Sequence, residues 1–267
     1  MENEINNPKE KNEKNIIIVA SGKGGVGKTW FSISVALTLR KSLEKILIFD
    51  GDLGLANVDI QLNLTPKRDL LNFLHEECSF KDAITTYEEG GIDILTGRSG
   101  SGILSSIPSD KRKIIKDNLL EISKSYDAVI IDLGAGIDDI VKDLSQIGQN
   151  CFVITTDEPT SMTDAYALIK VLHKQSPHIK IHIVINRADT EKEGLKTFQT
   201  LCKVCESFLK FTPKLGGIIK YDKKVRDAIR HQKPIISYAP KSSSSKDISD
   251  VSYNVMQTIS DDLFSES

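Results

Sequence analysis

The segment from Gly22 to Thr29 constrains this chain more than any other part of its sequence, because it reads Gly-Lys-Gly-Gly-Val-Gly-Lys-Thr. A β-branched apolar run, Ile16 to Val19, precedes it, and apolar residues at helical spacing follow it as far as Leu43. A glycine-rich loop between a strand and a helix folds closely around an anion and directs backbone N–H groups towards it. The alternative is a glycine-rich turn that ends in Gly-Lys-Thr by chance, and the flanking strand and helix disfavour it. We therefore predict a phosphate-binding loop.

The individual positions of this loop have predicted roles. Lys28 is predicted to reach the β- and γ-phosphates of ATP, and the Thr29 hydroxyl is predicted to ligate Mg²⁺. The residues predicted to contact the nucleotide here are Gly24, Gly25, Val26, Gly27, Lys28, Thr29 and Trp30. A second lysine, Lys23, lies early in the loop. Its position suggests that two copies of the chain must meet before the site works.

Two further apolar runs end in aspartates. Ile46 to Phe49 leads into Asp50 and Asp52, and Ala128 to Ile131 leads into Asp132. Parallel strands would deliver these side chains to the ligand-binding edge of a sheet, where Asp132 is predicted to hold Mg²⁺ through water. Of Asp50 and Asp52, one can hold magnesium water and the other can orient an attacking water. A lone aspartate after a strand is usually a turn or cap residue, but three such elements in one chain favour a shared site.

The alternation of patterns along the chain predicts the fold. Strands are predicted at 16–20, 46–50, 92–95, 128–132, 151–155, 181–186 and 214–219. Helices are predicted at 28–43, 69–77, 111–125, 138–149, 163–176, 192–210, 222–230 and 246–263. Thr163 and Asp164 mark the predicted start of one helix after Pro159. The prediction is an α/β fold of the P-loop NTPase type, a doubly wound, mostly parallel sheet with helices on both faces.

Length and composition limit the class of protein. A chain of 267 residues with 39% hydrophobic and 27% charged residues fits one soluble domain. The net charge of -2 gives no global attraction to nucleic acid, and no apolar run approaches the ~20 residues of a membrane-spanning helix. Residues 1–15 are polar and lack the apolar middle of a signal peptide, which favours a cytoplasmic location. We predict a disordered tail over 1–15, which is either a solubilising segment or a segment that orders on a partner. We predict an ATPase domain over 16–240.

The last segment, 241–267, is predicted to be a loop followed by an amphipathic helix. Ser242 to Ser245 is a short low-complexity run that is predicted to detach the helix from the body. The apolar stripe of the helix is expected to pack on the body, with a membrane-surface helix as the alternative. Acidic residues dominate its polar face, whereas anionic lipid attracts Lys and Arg.

Cys202 and Cys205 form a CxxC pair with two competing interpretations. The pair could hold an iron–sulfur cluster or zinc, but helical spacing favours two thiols packed in a helix.

Two further features also have competing interpretations. Asn186 follows a predicted strand, and it is a candidate either for adenine recognition or for a turn residue. The stretch from Pro213 to Asp222 is a candidate wall for the base. A local cluster of basic residues is interpreted as a solvated helix face in preference to a DNA-binding stripe. Its members are Lys220, Lys223, Lys224, Arg226 and Arg230.

These motifs resemble one family. The early Lys23 placed before Lys28 resembles the deviant Walker A loop of the MinD/ParA class of dimerising ATPases. Within that class, the segment from Asp50 to Asp59 resembles the MinD branch. The sequences from Asp132 to Ile137 and from Glu158 to Ala167 are similar to the FlhG (FleN) family of flagellar number regulators. The resemblance covers residues 16–238.

The resemblance implies roles and partners. It implies that Lys23 crosses a dimer interface to the partner's nucleotide, that Asp52 positions the hydrolytic water, and that Asn186 recognises adenine. It implies that Asp50 and Asp132 support Mg²⁺, and that an ATP-bound homodimer separates after hydrolysis. The implied partners are an FlhF-type GTPase and basal-body components, with peripheral association at the inner face of the cell membrane as a further option. The competing families are MinD-like division-site positioners, ParA-like partitioning ATPases and Mrp-type iron–sulfur scaffolds.

Overall fold

The computed structural model describes residues 15–52, 56–97 and 107–264. Almost all of the predicted polar tail lies outside the described residues, as do residues 53–55 within the segment from Asp50 to Asp59 and the last three residues of the chain.

One sheet organises the described part of the chain. Its strands are β1 (Ile16–Ser21), β2 (Ile46–Gly51), β3 (Thr85–Tyr87), β4 (Ile92–Leu95), β5 (Ala128–Ala135), β6 (Asn150–Thr155), β7 (Lys180–Ala188) and β8 (Lys214–Lys220). The spatial order is β3-β4-β2-β5-β1-β6-β7-β8, and every neighbouring pair is parallel except β3 and β4. All seven predicted strands are present, and the predicted fold class is confirmed.

Helices cover both faces of this sheet. They are α1 (Lys28–Leu39), α2 (Val58–Gln61), α3 (Leu70–Leu74), α4 (Ser109–Ser123), α5 (Asp139–Ser145), α6 (Pro159–Gln175), α7 (Glu191–Leu209), α8 (Lys223–Arg230), α9 (Ile235–Tyr238) and α10 (Ser243–Phe264). One core cluster joins one face of the sheet to α3, α4, α5, α6 and α7. The other cluster joins the opposite face to α1, α8, α9 and α10. This two-layered covering explains why the strands are apolar runs without polar alternation.

Strand β1 lies inside the sheet, between β5 and β6. Ile16 and Ile18 belong to one core cluster, and Ile17 and Val19 belong to the other. All four are buried, and burying each such side chain contributes about 1.5–3 kcal/mol. A charged residue at Ile18 would place an unpaired charge in the core. The central position of β1 fixes the loop that follows it between two layers of packed side chains.

Several elements differ from the predictions: α1, α3 and α5 are shorter than predicted, and the short helices α2 and α9 were not predicted. Strand β3 was not predicted, because its three residues contain two threonines and no apolar run, and it pairs antiparallel to β4 at the end of the sheet. Helix α6 begins at Pro159, four residues before the predicted start at Thr163. Proline is well suited to the first helical position, since its ring fixes φ and its missing N–H has no helical partner there.

The prediction of a detaching loop at Ser242 to Ser245 is wrong. Helix α10 begins at Ser243, and Ser244 and Ser245 are buried in its first turn. Their hydroxyls donate hydrogen bonds to the carbonyl oxygens of Lys220 and Ala239, so short polar side chains join the helix to the body. Burial of these hydroxyls is compatible with stability because each has a partner.

The apolar stripe of α10 packs against the sheet. Ile248, Val251, Val255 and Ile259 are all buried in the cluster that also contains α1. Asn254 donates from its side chain to the Gly216 carbonyl oxygen (3.1 Å), so the helix also covers part of the outer edge of β8. An edge strand covered in this way offers fewer free backbone groups to another strand.

The two cysteines of the CxxC pair lie on one helix, α7. Cys205 is buried in the core cluster and Cys202 is half-buried, with its thiol 3.7 Å from the Pro213 carbonyl oxygen. Desolvation raises the pKa of the Cys205 thiol to about 11, which disfavours the thiolate that binds metals. Helical packing of both thiols, as the spacing favours, is what the structure shows.

Among the helices of the described residues, none has the length and apolar character needed to cross a bilayer.

Candidate nucleotide site at the carboxyl edge of the sheet

The loop between β1 and α1 has the geometry of an anion cradle. Gly25 and Gly27 have φ values of 75° and 95°, a left-handed conformation that residues with a Cβ rarely adopt. A Cβ built on Gly24 or Gly25 would have no atom within 4 Å, so open space lies against this part of the loop. The N-terminus of α1 follows, and its free N–H groups and dipole favour a bound anion.

Lys28 is paired inside its own subunit. Its Nζ lies 3.1 Å from Oδ1 of Asp132, and the Ser32 hydroxyl donates to the same oxygen at 3.1 Å. Both members of the ion pair are buried, at 7% and 0% exposure. A buried charge needs a partner, and in the absence of phosphate Asp132 provides one. The Lys28 ammonium group has three N–H donors, and the contact with Asp132 uses one of them.

Asp50 and Asp132 are opposite each other on β2 and β5. The Oδ2 atom of Asp50 accepts the N–H groups of Asn57 (2.8 Å) and Val58 (3.0 Å), and its Oδ1 accepts the N–H of Asp52 (3.1 Å). Burial, followed by the charge of Asp132, raises the pKa of Asp50 to about 7, while the N–H groups of Val58 and Asn57 and the charge of Lys28 lower it. Asp50 therefore organises the backbone after β2, which is a role that the sequence prediction did not include.

Two oxygen atoms are available for a magnesium shell. The Oδ2 atom of Asp132 is buried and has no hydrogen-bond partner among the described residues. The Thr29 hydroxyl, which is nearly buried, likewise makes no hydrogen bond within the ranges described. Mg²⁺ binds hydroxyl, carboxylate and water oxygens, so these residues fit the predicted ion.

Asp52 follows β2 at the same edge of the sheet. Its backbone N–H donates to Asp50, and its side chain is half-buried. A Cβ built on Gly134 would lie 3.8 Å from Oδ1 of Asp52, so this carboxylate is beside the turn that follows Asp132. The structure thus brings Asp52, Asp132 and Lys28 to one edge, as the sequence predicts.

Lys23 makes its side-chain contacts with the start of α6. Its Nζ donates to Oε2 of Glu158 and to the Thr160 hydroxyl, both at 2.9 Å. The hydrogen bond and charge of Lys23 hold the pKa of the Glu158 carboxyl below its usual range. The sequence prediction missed Glu158 and Thr160 as neighbours of this lysine. Their position just after β6 was the only available signal, since 135 residues separate Lys23 from Glu158.

A cavity of about 560 Å³ opens beside the loop. The residues that line it include Gly27, Trp30, Asn186, Arg187, Tyr221 and Arg226. This volume is typical of a pocket for a small ligand. Tyr221 and Asp222 belong to the stretch that was predicted to wall the base. Arg226 and Arg230 of the basic cluster also line it, and both are exposed, as the interpretation of a solvated helix face expects.

Asn186 has partners already within the protein. Its side-chain N–H donates to the Val26 carbonyl oxygen (2.7 Å), and its Oδ1 accepts the N–H of Arg187 (2.9 Å). The residue is only 4% exposed. Asn186 thus ties the end of β7 to the phosphate loop, and adenine recognition by its amide stays a prediction.

The sequence as a whole matches a family model. Residues 17–235 match the CobQ/CobB/MinD/ParA nucleotide-binding domain. The chain belongs to this family. It is a member of the MinD/ParA-family ATPases.

Two curated relatives match most of the chain. The antiactivator FleN of Pseudomonas aeruginosa is 36% identical over 230 residues, which cover 86% of this chain and 82% of FleN. The flagellum site-determining protein YlxH of Helicobacter pylori is 29% identical over 255 residues, covering 92% of this chain and 85% of YlxH.

A solved structure supports the fold. The septum site-determining protein MinD of Pyrococcus horikoshii, complexed with Mg-ADP, superposes with a TM-score of 0.77 at 22% identity, covering 93% of this chain and 98% of MinD. At this identity the likeness establishes the architecture, and it shows that a protein of the same fold holds Mg-ADP.

Proposed function

We propose that this chain is a molecular switch that binds ATP, dimerises, hydrolyses ATP to ADP and phosphate, and regulates the number or placement of flagella. The observation that carries the proposal is the arrangement of the two loop lysines. Lys28 is buried and pairs with Asp132, while Lys23 is 38% exposed and pairs with Glu158. This difference supports a role for Lys28 at its own nucleotide and a role for Lys23 at a neighbouring subunit.

Binding begins at the loop. The triphosphate enters the open space against Gly24 and Gly25, where the N-terminus of α1 and Lys28 neutralise its charge. The base occupies the neighbouring cavity, beside Trp30 and Asn186. Thr29 and Asp132 would hold Mg²⁺, with Asp50 supporting the segment around them. The ion, when bound, neutralises charge on the phosphate oxygens.

Hydrolysis needs an oriented water and a second cation. Asp52 orients the water that attacks the γ-phosphorus, and the bond from that phosphorus to the bridging oxygen of ADP breaks. Lys23 of a second subunit approaches the phosphates and stabilises the charge that develops on them. Loss of the γ-phosphate removes this contact, and the dimer separates.

The flagellar assignment is supported by the similarity to YlxH, a flagellum site-determining protein, and by the 36% identity to FleN, whose family the sequence motifs resemble. The proposed partners are a homodimer partner, an FlhF-type GTPase and basal-body components. We propose a cytoplasmic location, with peripheral association at the inner membrane face as a further option. Division-site positioning is the second candidate, because the septum protein MinD shares the fold.

Analytical ultracentrifugation with Mg·ATP tests the switch. Wild type and Asp52→Ala are expected to form dimers, and the Asp52→Ala dimer is expected to persist because it does not turn over. Lys23→Ala is expected to bind ATP, stay monomeric and show negligible turnover. Normal hydrolysis by monomeric Lys23→Ala would refute the shared site.

The cellular role needs a separate experiment. Cells that lack the protein are expected to have altered flagellar number or position and correctly placed division sites. Normal flagella together with misplaced septa would transfer the assignment to the second candidate.

A further inference from the structure

The first two turns of helix α10 contact one wall of the cavity beside the phosphate loop. This wall is the segment from Lys220 to Asp222, which ends β8 and leads into α8, and all three of its residues line the cavity. Ser244 of α10 lines the cavity as well. The start of α10 is therefore part of the surroundings of the proposed base site.

Lys220 is joined to α10 by three hydrogen bonds. Its backbone N–H donates to Oδ2 of Asp247 (2.9 Å), and its ammonium group donates to Oδ1 of the same carboxylate (2.5 Å). The Ser244 hydroxyl donates to its carbonyl oxygen (3.3 Å). The side chain of Asp247 is only 6% exposed, so water competes little for these charge-assisted contacts. A carboxylate that binds both the main chain and the side chain of Lys220 fixes the end of β8.

The other end of this wall is fixed as well. Oδ2 of Asp222 accepts the Ser243 hydroxyl (3.0 Å), and its Oδ1 accepts the Lys224 N–H at the start of α8. Tyr221 lies between the two held residues, and its own N–H donates to the Ala188 carbonyl oxygen (2.8 Å). Its side chain is 61% exposed and makes no hydrogen bond or ion pair within the part of the chain that the structure describes. The backbone of Tyr221 is therefore fixed while its ring is available to a ligand.

We propose that Asp247 is a positioning residue for the nucleotide base, because it holds Lys220 and thereby keeps the Tyr221 ring at the cavity, where the ring covers the base. This inference rests on the proposed function, since it takes the cavity to be the site of the base. It adds a residue of α10 to a site that is otherwise built from the phosphate loop and the strand ends.

The effect of Asp247 follows from what an aromatic ring needs in order to stack. Every base has a π face that packs on an aromatic side chain, and a ring that is already held in place loses less freedom when the base arrives. Release of Lys220 would leave the Tyr221 backbone less restricted. The phosphates bind at a separate loop, so their contacts do not depend on this wall. Loss of the Asp247 contacts should therefore weaken a nucleotide and spare a phosphate chain without a base.

The test compares Asp247→Asn with Asp250→Asn. Both variants remove one carboxylate from α10, and Asp250 is exposed and has no hydrogen bond or ion pair among the residues described. Titration calorimetry measures the affinity for Mg·ADP and for Mg·pyrophosphate, which has the same two phosphates and no nucleoside. Asp247→Asn is expected to weaken Mg·ADP binding about three- to tenfold and to change Mg·pyrophosphate binding by less than about twofold. Asp250→Asn is expected to match wild type with both ligands.

Tyr221→Leu is a second variant at an exposed position, so it tests the inference even if Asp247→Asn folds poorly. It is expected to weaken Mg·ADP and to spare Mg·pyrophosphate. Because Asp247 acts through Tyr221, adding Asp247→Asn to Tyr221→Leu is expected to cause no further loss of Mg·ADP affinity.

Two sets of outcomes separate the inference from the proposed function. Wild type that binds Mg·ADP no more tightly than Mg·pyrophosphate would remove the base from the cavity, and both would fail. If wild type prefers Mg·ADP, only the inference is overturned when Tyr221→Leu keeps full Mg·ADP affinity. The same holds when Asp247→Asn weakens both ligands equally, which is the result of a merely structural role.

Discussion

Asp50 and Asp132 face each other across adjacent parallel strands, yet their carboxylates have different partners. Asp50 accepts backbone N–H groups with both oxygens, whereas Asp132 pairs with Lys28 through one oxygen and has no partner for the other among the described residues. Asp50 therefore holds the backbone that follows β2, and Asp132 has one carboxylate oxygen that can bind a ligand. The two positions look equivalent in the sequence, and the fold makes them different.

Substitution Asp132→Asn is expected to destabilise the nucleotide-free protein by about 3 kcal/mol, because it leaves the Lys28 ammonium buried without a counter-charge. The measurement is the free energy of unfolding in urea. Asp143→Asn is the control, since it removes the partner of Arg112 at a carboxylate that is 38% exposed, and its cost is expected to stay below about 1 kcal/mol. Equal effects of the two substitutions would contradict the importance of the Lys28 pair.

Two glycine substitutions in the loop are expected to have separable effects. Gly24→Ala meets no atom within 4 Å, so the free energy of unfolding should change by less than about 0.5 kcal/mol, while the new methyl group obstructs the phosphate space. Gly27→Ala places a Cβ at φ 95° and 2.4 Å from the Asn186 side-chain nitrogen, so it should cost about 1–3 kcal/mol. Urea unfolding and ADP titration calorimetry measure the two properties. Full ADP affinity in Gly24→Ala would place the phosphates elsewhere.

The hydrogen bond from Asn186 to the Val26 carbonyl oxygen is expected to position the loop for binding. Asn186→Asp keeps the acceptor for the Arg187 N–H and replaces the donor to Val26 with an oxygen. An oxygen facing a carbonyl oxygen is repulsive, and the loss is expected to weaken ADP affinity about tenfold, which corresponds to about 1.4 kcal/mol. Calorimetric titration measures the affinity, and Asn118→Asp, which removes the same kind of donor from the Ile114 carbonyl oxygen on helix α4, is the control. Unchanged affinity in Asn186→Asp would remove this positioning role.

The phosphate loop and the strand-end aspartates were predictable because their signals are local. Gly22 to Thr29 is continuous in sequence, and each aspartate directly follows an apolar run. The sheet then brings them together, since parallel strands share a carboxyl edge.

Contacts between distant segments were not predictable in the same way. The pairing of Lys23 with Glu158 joins residues 135 positions apart, and the buried serines at the start of α10 look like a polar loop until the packing of the helix is known. Asn186 was placed at the correct edge, but its hydrogen bond to the Val26 carbonyl joins residues 160 positions apart. In each case a polar side chain finds a partner that only the assembled fold supplies.

Trp30 offers a direct test of where the base binds. It is the only tryptophan of the chain, it is 5% exposed, and it lines the cavity beside Asn186. A ligand in this cavity changes the surroundings of the indole ring, so addition of Mg·ADP is expected to shift or quench its emission with the same dissociation constant that calorimetry gives. Trp30→Phe should retain ADP binding without the signal, and Gly24→Ala should lose both together. Calorimetric binding without any change in Trp30 emission would place the base outside the cavity, and the proposed arrangement of Trp30 and Asn186 around it would be wrong.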